Sequence, residues 1–224
     1  MKTLLFEKQW LHALSLVVLL GLLGRVSNLE SAQTGNFGNL GSINLLYLAA
    51  GIAVTHQVFV WLCWRLELHH SLLTRLFGRY GFRFYATGFT ILVILRVAAV
   101  LILAVINQGT LDMPSETLRA LAIVALLPAS YLFYSVKRYF GFRRALGLDH
   151  FDKSYRLLPK VREGIFRITP NGMYTFGFLL IWIPGLWFAS TAALFAAMFN
   201  HLYIWVHYFA TERPDMQRIY EVRR

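Results

Sequence analysis

The sequence predicts an all-α, polytopic membrane helical bundle of five to six membrane segments, ending in a helical hairpin. Three observations carry that prediction. Of the 224 residues, 57% are hydrophobic and only 15% charged, against about 25% charged in an average soluble domain. The apolar residues gather in runs long enough to cross a bilayer, which takes about 20 residues per helix. The stretch 171–211 holds no Asp, Glu, Lys or Arg. This composition excludes a disordered chain and an ordinary cytosolic enzyme. Cys63 is the only cysteine, so an intrachain disulfide framework and a cysteine-built metal site are excluded too.

The elements follow in chain order. The first run, 10–24, is preceded by Lys2 and Lys8 like a signal peptide. Glu7 interrupts that basic region, however, and Gly24-Arg25-Val26-Ser27 is a poor cleavage site, so it reads as a retained span. The second run is 42–64, continued by a basic amphipathic stretch from Trp64 to Phe84 that reads as lying in the interface. The third, 85–107, carries Arg96 near its middle, and the fourth is 118–136. As one helix, 171–211 would be roughly 60 Å long, about twice the hydrocarbon thickness, so it must fold back. Pro184-Gly185 and Ser190-Thr191 are the available turns. The expected arms are 172–187, short for a full span, and 191–211. The chain divides into an N-terminal four-span region, 1–136, and a C-terminal region, 137–224, of basic loop, hairpin and tail.

Charge sets the expected orientation. Segment 65–84 has Arg65, Arg75, Arg79 and Arg83 against Glu67, and segment 137–170 has nine basic residues against Asp149, Asp152 and Glu163. Segment 108–117 has only Asp112 and Glu116. Basic segments alternate with neutral or acidic ones, which puts both termini and both basic loops in the cytoplasm. The net charge of +11 therefore points to anionic lipid headgroups at these loops rather than to nucleic acid. The chain shows neither a long soluble tail nor a retrieval signal, which favours a bacterial inner membrane over the endoplasmic reticulum. The end, Glu221 to Arg224, reads as solvated.

Candidate chemistry gathers at the hairpin. On a helical second arm His201, Trp205, Tyr208 and Glu212 share one face, and Asn200, Ile204, His207 and Thr211 form the adjacent stripe. A polar face thus runs down an apolar helix and ends in a carboxylate. Such groups are costly in hydrocarbon and face a bundle interior or a wet cavity. Pro214 is expected to end the arm, and Asp215 to cap a short terminal helix. Arg96 lies too deep to snorkel and needs a partner from the polar face, from His56 or from a backbone carbonyl. No set of His, Cys and carboxylate residues has zinc-ligand spacing, so no metal is expected, and neither a phosphate-cradling loop nor a nucleophile elbow occurs.

The segment Gly164-Ile165-Phe166-Arg167-Ile168-Thr169-Pro170-Asn171-Gly172-Met173-Tyr174 resembles the Gly-Ile-Tyr-Arg-x-x-Arg-His-Pro-Met-Tyr signature of membrane methyltransferases of the isoprenylcysteine carboxyl methyltransferase type. Asn171 fits better the Asn-Pro-x-Tyr variant of the related phospholipid N-methyltransferases. Leu148-Asp149-His150-Phe151 is similar to their Gly-Asp-Tyr-Phe element. Thr211-Glu212-Arg213-Pro214, with Ile219-Tyr220 downstream, looks like their Glu-Glu-Pro and trailing Ile-Tyr. The resemblance covers roughly 141–220. Pro170, Gly172 and Arg213 depart from it, standing where the family has Arg, Pro and a second Glu. At Gly172 the expected compensation is a backbone turn that glycine tolerates.

The resemblance implies methyl transfer from S-adenosylmethionine to a lipid or lipid-linked acceptor. It implies a cofactor pocket of Asn171, Gly172, Met173, Tyr174 and Glu212, with Thr211 beside it by helix geometry. A lipid amine must lose a proton before attack, for which Glu212, His207 and His150 are candidate bases and Asp149 a group to orient the ammonium. A carboxylate acceptor needs a cation instead, and Arg167 or Arg96 would hold it. The Asn171 variant favours the amine; beside both enzymatic readings stands a non-catalytic membrane scaffold or transporter-like bundle, which accounts for the spans, Arg96 and the polar helix face but not for the order of Asn171, Tyr174 and Glu212.

Overall fold

The computed structural model of the chain describes residues 2–220; the end at 221–224 lies outside the described residues. Four helices are long and apolar enough to cross a membrane: α1 (Gln9–Val26), α2 (Ser42–His70), α3 (Gly81–Ile106) and α4 (Ser115–Ser135), the last prolonged by a π-turn, Val136–Phe140. The hairpin is α5 (Leu179–Trp187), which a π-turn at Met173–Gly177 precedes, and α6 (Thr191–His207). A third π-turn, Tyr208–Glu212, carries α6 into a terminal helix, α7 (Arg213–Tyr220). The protein is an integral membrane helical bundle. Its outer surface is apolar, with Val17, Ile94, Val124 and Leu127 all exposed, as a lipid-facing surface requires.

Helix α6 packs against α1, α2, α3 and α5 and is the centre of the bundle. Its buried face is Ala192, Ala193, Ala196 and Ala197, set against Ala49, Ala50 and Ala53 of α2 and Ala99 and Ala104 of α3. Small side chains let the backbones approach, and packing then takes over from the hydrophobic effect that lipid removes. The first hairpin arm with its π-turn, Met173–Trp187, is shorter than a spanning helix, as its sequence indicates.

Of the two candidate turns, the chain uses the second. Ala189 adopts a left-handed conformation (φ 50°), and Ser190 caps α6 by accepting the Ala193 N–H at 3.2 Å. Asn107, fully buried, pins this turn: its Oδ1 accepts from Ser190 Oγ and Ala192 N at 2.8 Å, while its Nδ2 donates to the carbonyls of Ser31 and Thr34 at 2.8 Å. Pro184 and Gly185 stay inside α5.

At the opposite end, which carries both basic loops, Arg65 is the central tie. It is fully buried. Its Nη1 donates to the carbonyls of Leu4, Leu5 and Glu7 at 2.8–3.0 Å, its Nη2 to that of Ala210 at 3.1 Å, and its Nε lies 3.3 Å from Asp215. The Ala210 carbonyl is open to this bond because Pro214, four residues on, has no N–H to donate to it. Two expectations change accordingly. Pro214 does not end the arm; it sits in the first turn of α7, where no N–H is needed. Asp215 turns its carboxylate to Arg65 because an unpaired buried guanidinium would be costly.

Candidate active site

A cavity of about 480 Å³ opens inside this end of the bundle, lined by α2, α3, α4 and both hairpin arms. Its wall is mainly apolar. Thr90 of α3 and Phe133 of α4 line it and are also exposed on the outside of the bundle, so it opens between those helices towards lipid. Phe142, Ala145 and Leu146 of the 137–170 loop form its roof. Two glycines shape that roof. Gly147 (φ 83°) lies so close under Trp64 that a Cβ would come within 2.5 Å of the indole. Gly164 (φ 59°) leaves the same kind of space for Ser135, whose Oγ accepts the Ile165 N–H at 3.1 Å. Only glycine meets both demands.

Polar groups converge on the inner wall. Arg96, 3% exposed, donates from Nε to the Asn200 side chain and from Nη2 to the Asn200 carbonyl at 3.3 Å; its Nη1 lies 3.3 Å from His56 Nδ1. The guanidinium stands 5.0 Å over the Phe178 ring. All three kinds of partner foreseen for Arg96 are thus engaged at once, with no carboxylate among them. Among the described residues His56 Nε2 and both ring nitrogens of His207 have no hydrogen-bond partner, although the residues are 3% and 1% exposed, and both side chains line the cavity. Buried polar atoms are normally satisfied, so these three nitrogens are poised for a ligand or water.

The mouth has the opposite character. Tyr174, which lines the cavity, donates its hydroxyl to Glu212. Glu212 makes no ion pair among the described residues. Burial, with Asp215 and Asp149 nearby, pushes its carboxyl up to about 8. Asp149 is itself raised by burial, opposed by the Tyr220 hydroxyl that donates to it and by Arg144 at 3.6 Å. Burial raises Asp215 to about 6 against the pull of Arg65. All three carboxyls thus hold protons more tightly than usual, burial being the first cause of each, and Glu212 feels the charges of the other two as well.

The structure brings some candidate residues together and sets others apart. Met173, Tyr174, Arg96 and His207 share the cavity wall, and Glu212 joins it through Tyr174. Asn171 opens the π-turn, its carbonyl accepting from the Tyr174 and Thr175 N–H groups. Gly172 has ordinary helical angles (φ −53°, ψ −34°), so no special turn explains it; it packs instead against Ile165 and Leu132. Thr211 is buried behind the arm and accepts from Gln9 at 3.1 Å. His150 lies under the roof, stacked on Trp64 with ring centroids 4.2 Å apart and bonded to the Gly147 carbonyl, outside the cavity lining. Arg167 is exposed on the loop and does not reach the cavity. Arg213 is also exposed, over Phe209; Asp149 and Asp215 supply near Glu212 the negative charge that the sequence lacks at position 213.

The N-terminal spans contribute more than their sequence signals. His12 bonds Tyr203 at 2.8 Å and Gln9 at 2.9 Å, which links α1 to α6 behind the cavity. His56, Gln57 and Trp64 of α2 line the cavity directly. A histidine or glutamine inside an apolar run is the available signal for such residues.

Residues 118–223, just under half of the chain, match the family model of the phospholipid methyltransferases. The match agrees with the membrane methyltransferase family that the ordered motifs of 141–220 resemble. It begins in α4 and so takes in one wall of the cavity as well as the roof, hairpin and mouth. No curated protein and no solved structure matches the chain.

Proposed function

We propose that the protein is an S-adenosylmethionine-dependent methyltransferase acting on a lipid acceptor, with a phospholipid amine as the favoured one. The observation that carries this reading is the pairing of Tyr174 with Glu212 at the junction of a lipid-open cavity and the basic end of the bundle. That end faces the cytoplasm on this reading, where a water-soluble cofactor is available. Glu212 has no cationic partner among the described residues, so the mouth fits a cationic ligand. An opposite unit charge at about 4 Å is worth ~4 kcal/mol at an effective dielectric near 20, before desolvation. When bound, the cofactor supplies an electrophilic methyl group; the protein supplies orientation and a water-poor wall.

Each residue then has a task. Glu212 and Tyr174 hold the cofactor's positive charge, with Met173 and Asn171 beside them. The lipid reaches the wall between α3 and α4. A protonated amine must give up its proton before it attacks, and His207, with both ring nitrogens free on the cavity wall, accepts it. A second reading, a carboxylate acceptor, is favoured by one observation: Arg96 stands on the same wall with no carboxylate partner. A scaffold would have no need of a cavity of this size.

The test is methyl transfer from radiolabelled S-adenosylmethionine by protein in lipid nanodiscs, offered phosphatidylethanolamine or a prenylated cysteine. Label in the phospholipid that is lost in His207→Ala supports the amine reading. Label only in the cysteine substrate, lost in Arg96→Gln, selects the carboxylate. Absence of cofactor binding in both lipid and detergent would sink the enzymatic reading.

A further inference from the structure

A second hollow, of about 340 Å³, lies between the start of α3 and the roof of the cavity, lined by Arg79, Tyr80, Phe82, Arg83 and Arg143. No acidic residue lines it, and none of its three arginines forms an ion pair among the described residues. Asp152, whose carboxylate feels Arg143, turns to the hydroxyl and N–H of Ser154 instead. The guanidiniums are held by aromatic faces. Arg79 and Arg83 stand 4.9 and 5.5 Å from the centre of the Tyr80 ring, and Arg143 stands 5.4 Å from that of Phe82. Arg79 spends one N–H on the Tyr80 hydroxyl, at 2.8 Å; the remaining N–H groups of the three guanidiniums are available to an anion, which a guanidinium recognises with paired donors. Like charges placed this close repel one another, and a bound anion removes that cost.

The hollow sits at membrane-interface height. Helix α3 runs for 26 residues, or about 39 Å, so its first turns reach beyond a hydrocarbon core of about 30 Å. Exposed apolar side chains rim the same stretch: Leu76, with Phe77 and Phe84 stacked on each other at 4.5 Å. A soluble phosphate has no use for such a rim, whereas a lipid lays its glycerol and upper chains against it.

We propose that this hollow binds the phosphate headgroup of an anionic membrane lipid, and that the bound lipid fastens the roof of the cavity to α3. Arg143 belongs to the short helix Phe142–Ala145, and Phe142 and Ala145 of that helix line the cavity. A phosphate held between Arg143 and the pair Arg79 and Arg83 therefore restrains the roof from outside. The lipid is a ligand distinct from the acceptor, and the inference holds whether or not the protein transfers methyl groups.

The test compares the full chain in nanodiscs of phosphatidylcholine alone and of phosphatidylcholine with one fifth phosphatidylglycerol, reading amide hydrogen exchange across 142–146. Exchange is expected to slow at least threefold in the anionic discs. The triple variant Arg79→Gln, Arg83→Gln, Arg143→Gln should lose the slowing. A control that removes equal charge from exposed loop positions, Lys153→Gln, Lys160→Gln, Arg162→Gln, should keep it. Native mass spectrometry should find phosphatidylglycerol retained by the wild type and the control but not by the triple variant. Equal exchange in both discs, or slowing that survives in the triple variant, overturns the proposal. Slowing reproduced by millimolar inorganic phosphate in neutral discs overturns the lipid as its source.

Discussion

The inner wall and the mouth of the cavity are built on the same helical arm, about 18 Å apart along it from Asn200 to Glu212, yet they are made for opposite charges. At the wall a guanidinium is solvated by an amide, a carbonyl and an imidazole. At the mouth Glu212, Asp149 and Asp215 crowd together under two tyrosines. The wall is held by direct bonds among three mutually packed helices, α2, α3 and α6. The mouth depends on distant chain segments that Arg65 gathers: the residues before α1, the π-turn and α7. The wall therefore survives as long as the bundle packs, while the mouth needs one buried ion pair as well.

Removing that ion pair should separate the two regions most strongly. Arg65→Met leaves the buried Asp215 with only the partly exposed Arg218 beside it, at 3.3 Å, and breaking one partner of a buried pair costs about 3–5 kcal/mol. A lowered thermal midpoint in detergent is expected, with partial recovery in Arg65→Met, Asp215→Asn. An Arg65→Met protein as stable as the wild type would show that the mouth does not rest on this tie.

Charge should separate them next. Glu212→Gln is expected to weaken S-adenosylmethionine binding tenfold or more by calorimetry, while Arg96→Gln changes it less than threefold. Glu212 carries its proton up to about pH 8, so cofactor binding must displace that proton at lower pH. Affinity should rise with pH by at most tenfold per unit up to about 8 and then level off, and Glu212→Gln should flatten the profile. Loss of binding in Arg96→Gln with none in Glu212→Gln would exchange the roles of the two regions.

The smallest effect tests the roof between them. Burial holds His150 neutral, its pKa lowered to about 3. A depressed imidazole contributes stability that is complete above its unfolded value near 6.5 and is lost as pH falls towards the folded one. From pH 6.5 to 5 that loss is at most ~2 kcal/mol. His150→Phe, which keeps an aromatic ring against Trp64, should remove this acid sensitivity, seen as a flatter thermal midpoint against pH. An unchanged acid dependence would place the sensitive group elsewhere.

Much of the bundle is legible in the sequence, because a span is a matter of length and polarity along one segment. The four long helices, the fold-back before Thr191, the polar stripes of the second arm and the need of Arg96 for neutral partners all follow from local pattern. The order of the motifs makes Tyr174 and Glu212 candidates together, and the structure pairs them. The π-turns are not legible, since an extra residue in a helical turn changes no composition. Position 213 misleads for the same reason: a sequence shows that a carboxylate is missing there but not that Asp149 and Asp215 stand near by.

The sequence by itself thus determined which segments are helices and which faces of them are polar, since both are properties of consecutive residues and a fixed period. Only the tertiary structure decided which polar faces meet. Arg65 reads as one basic loop residue among many, yet it is fully buried and holds four backbone carbonyls and Asp215. His12 stands alone in an apolar run, yet it ties α1 to Tyr203, and His56, one of several partners open to Arg96 in the sequence, is engaged by the fold together with Asn200. The reason is physical: a buried polar group must find a partner wherever the rotation and tilt of neighbouring helices place one, and no local pattern encodes that placement.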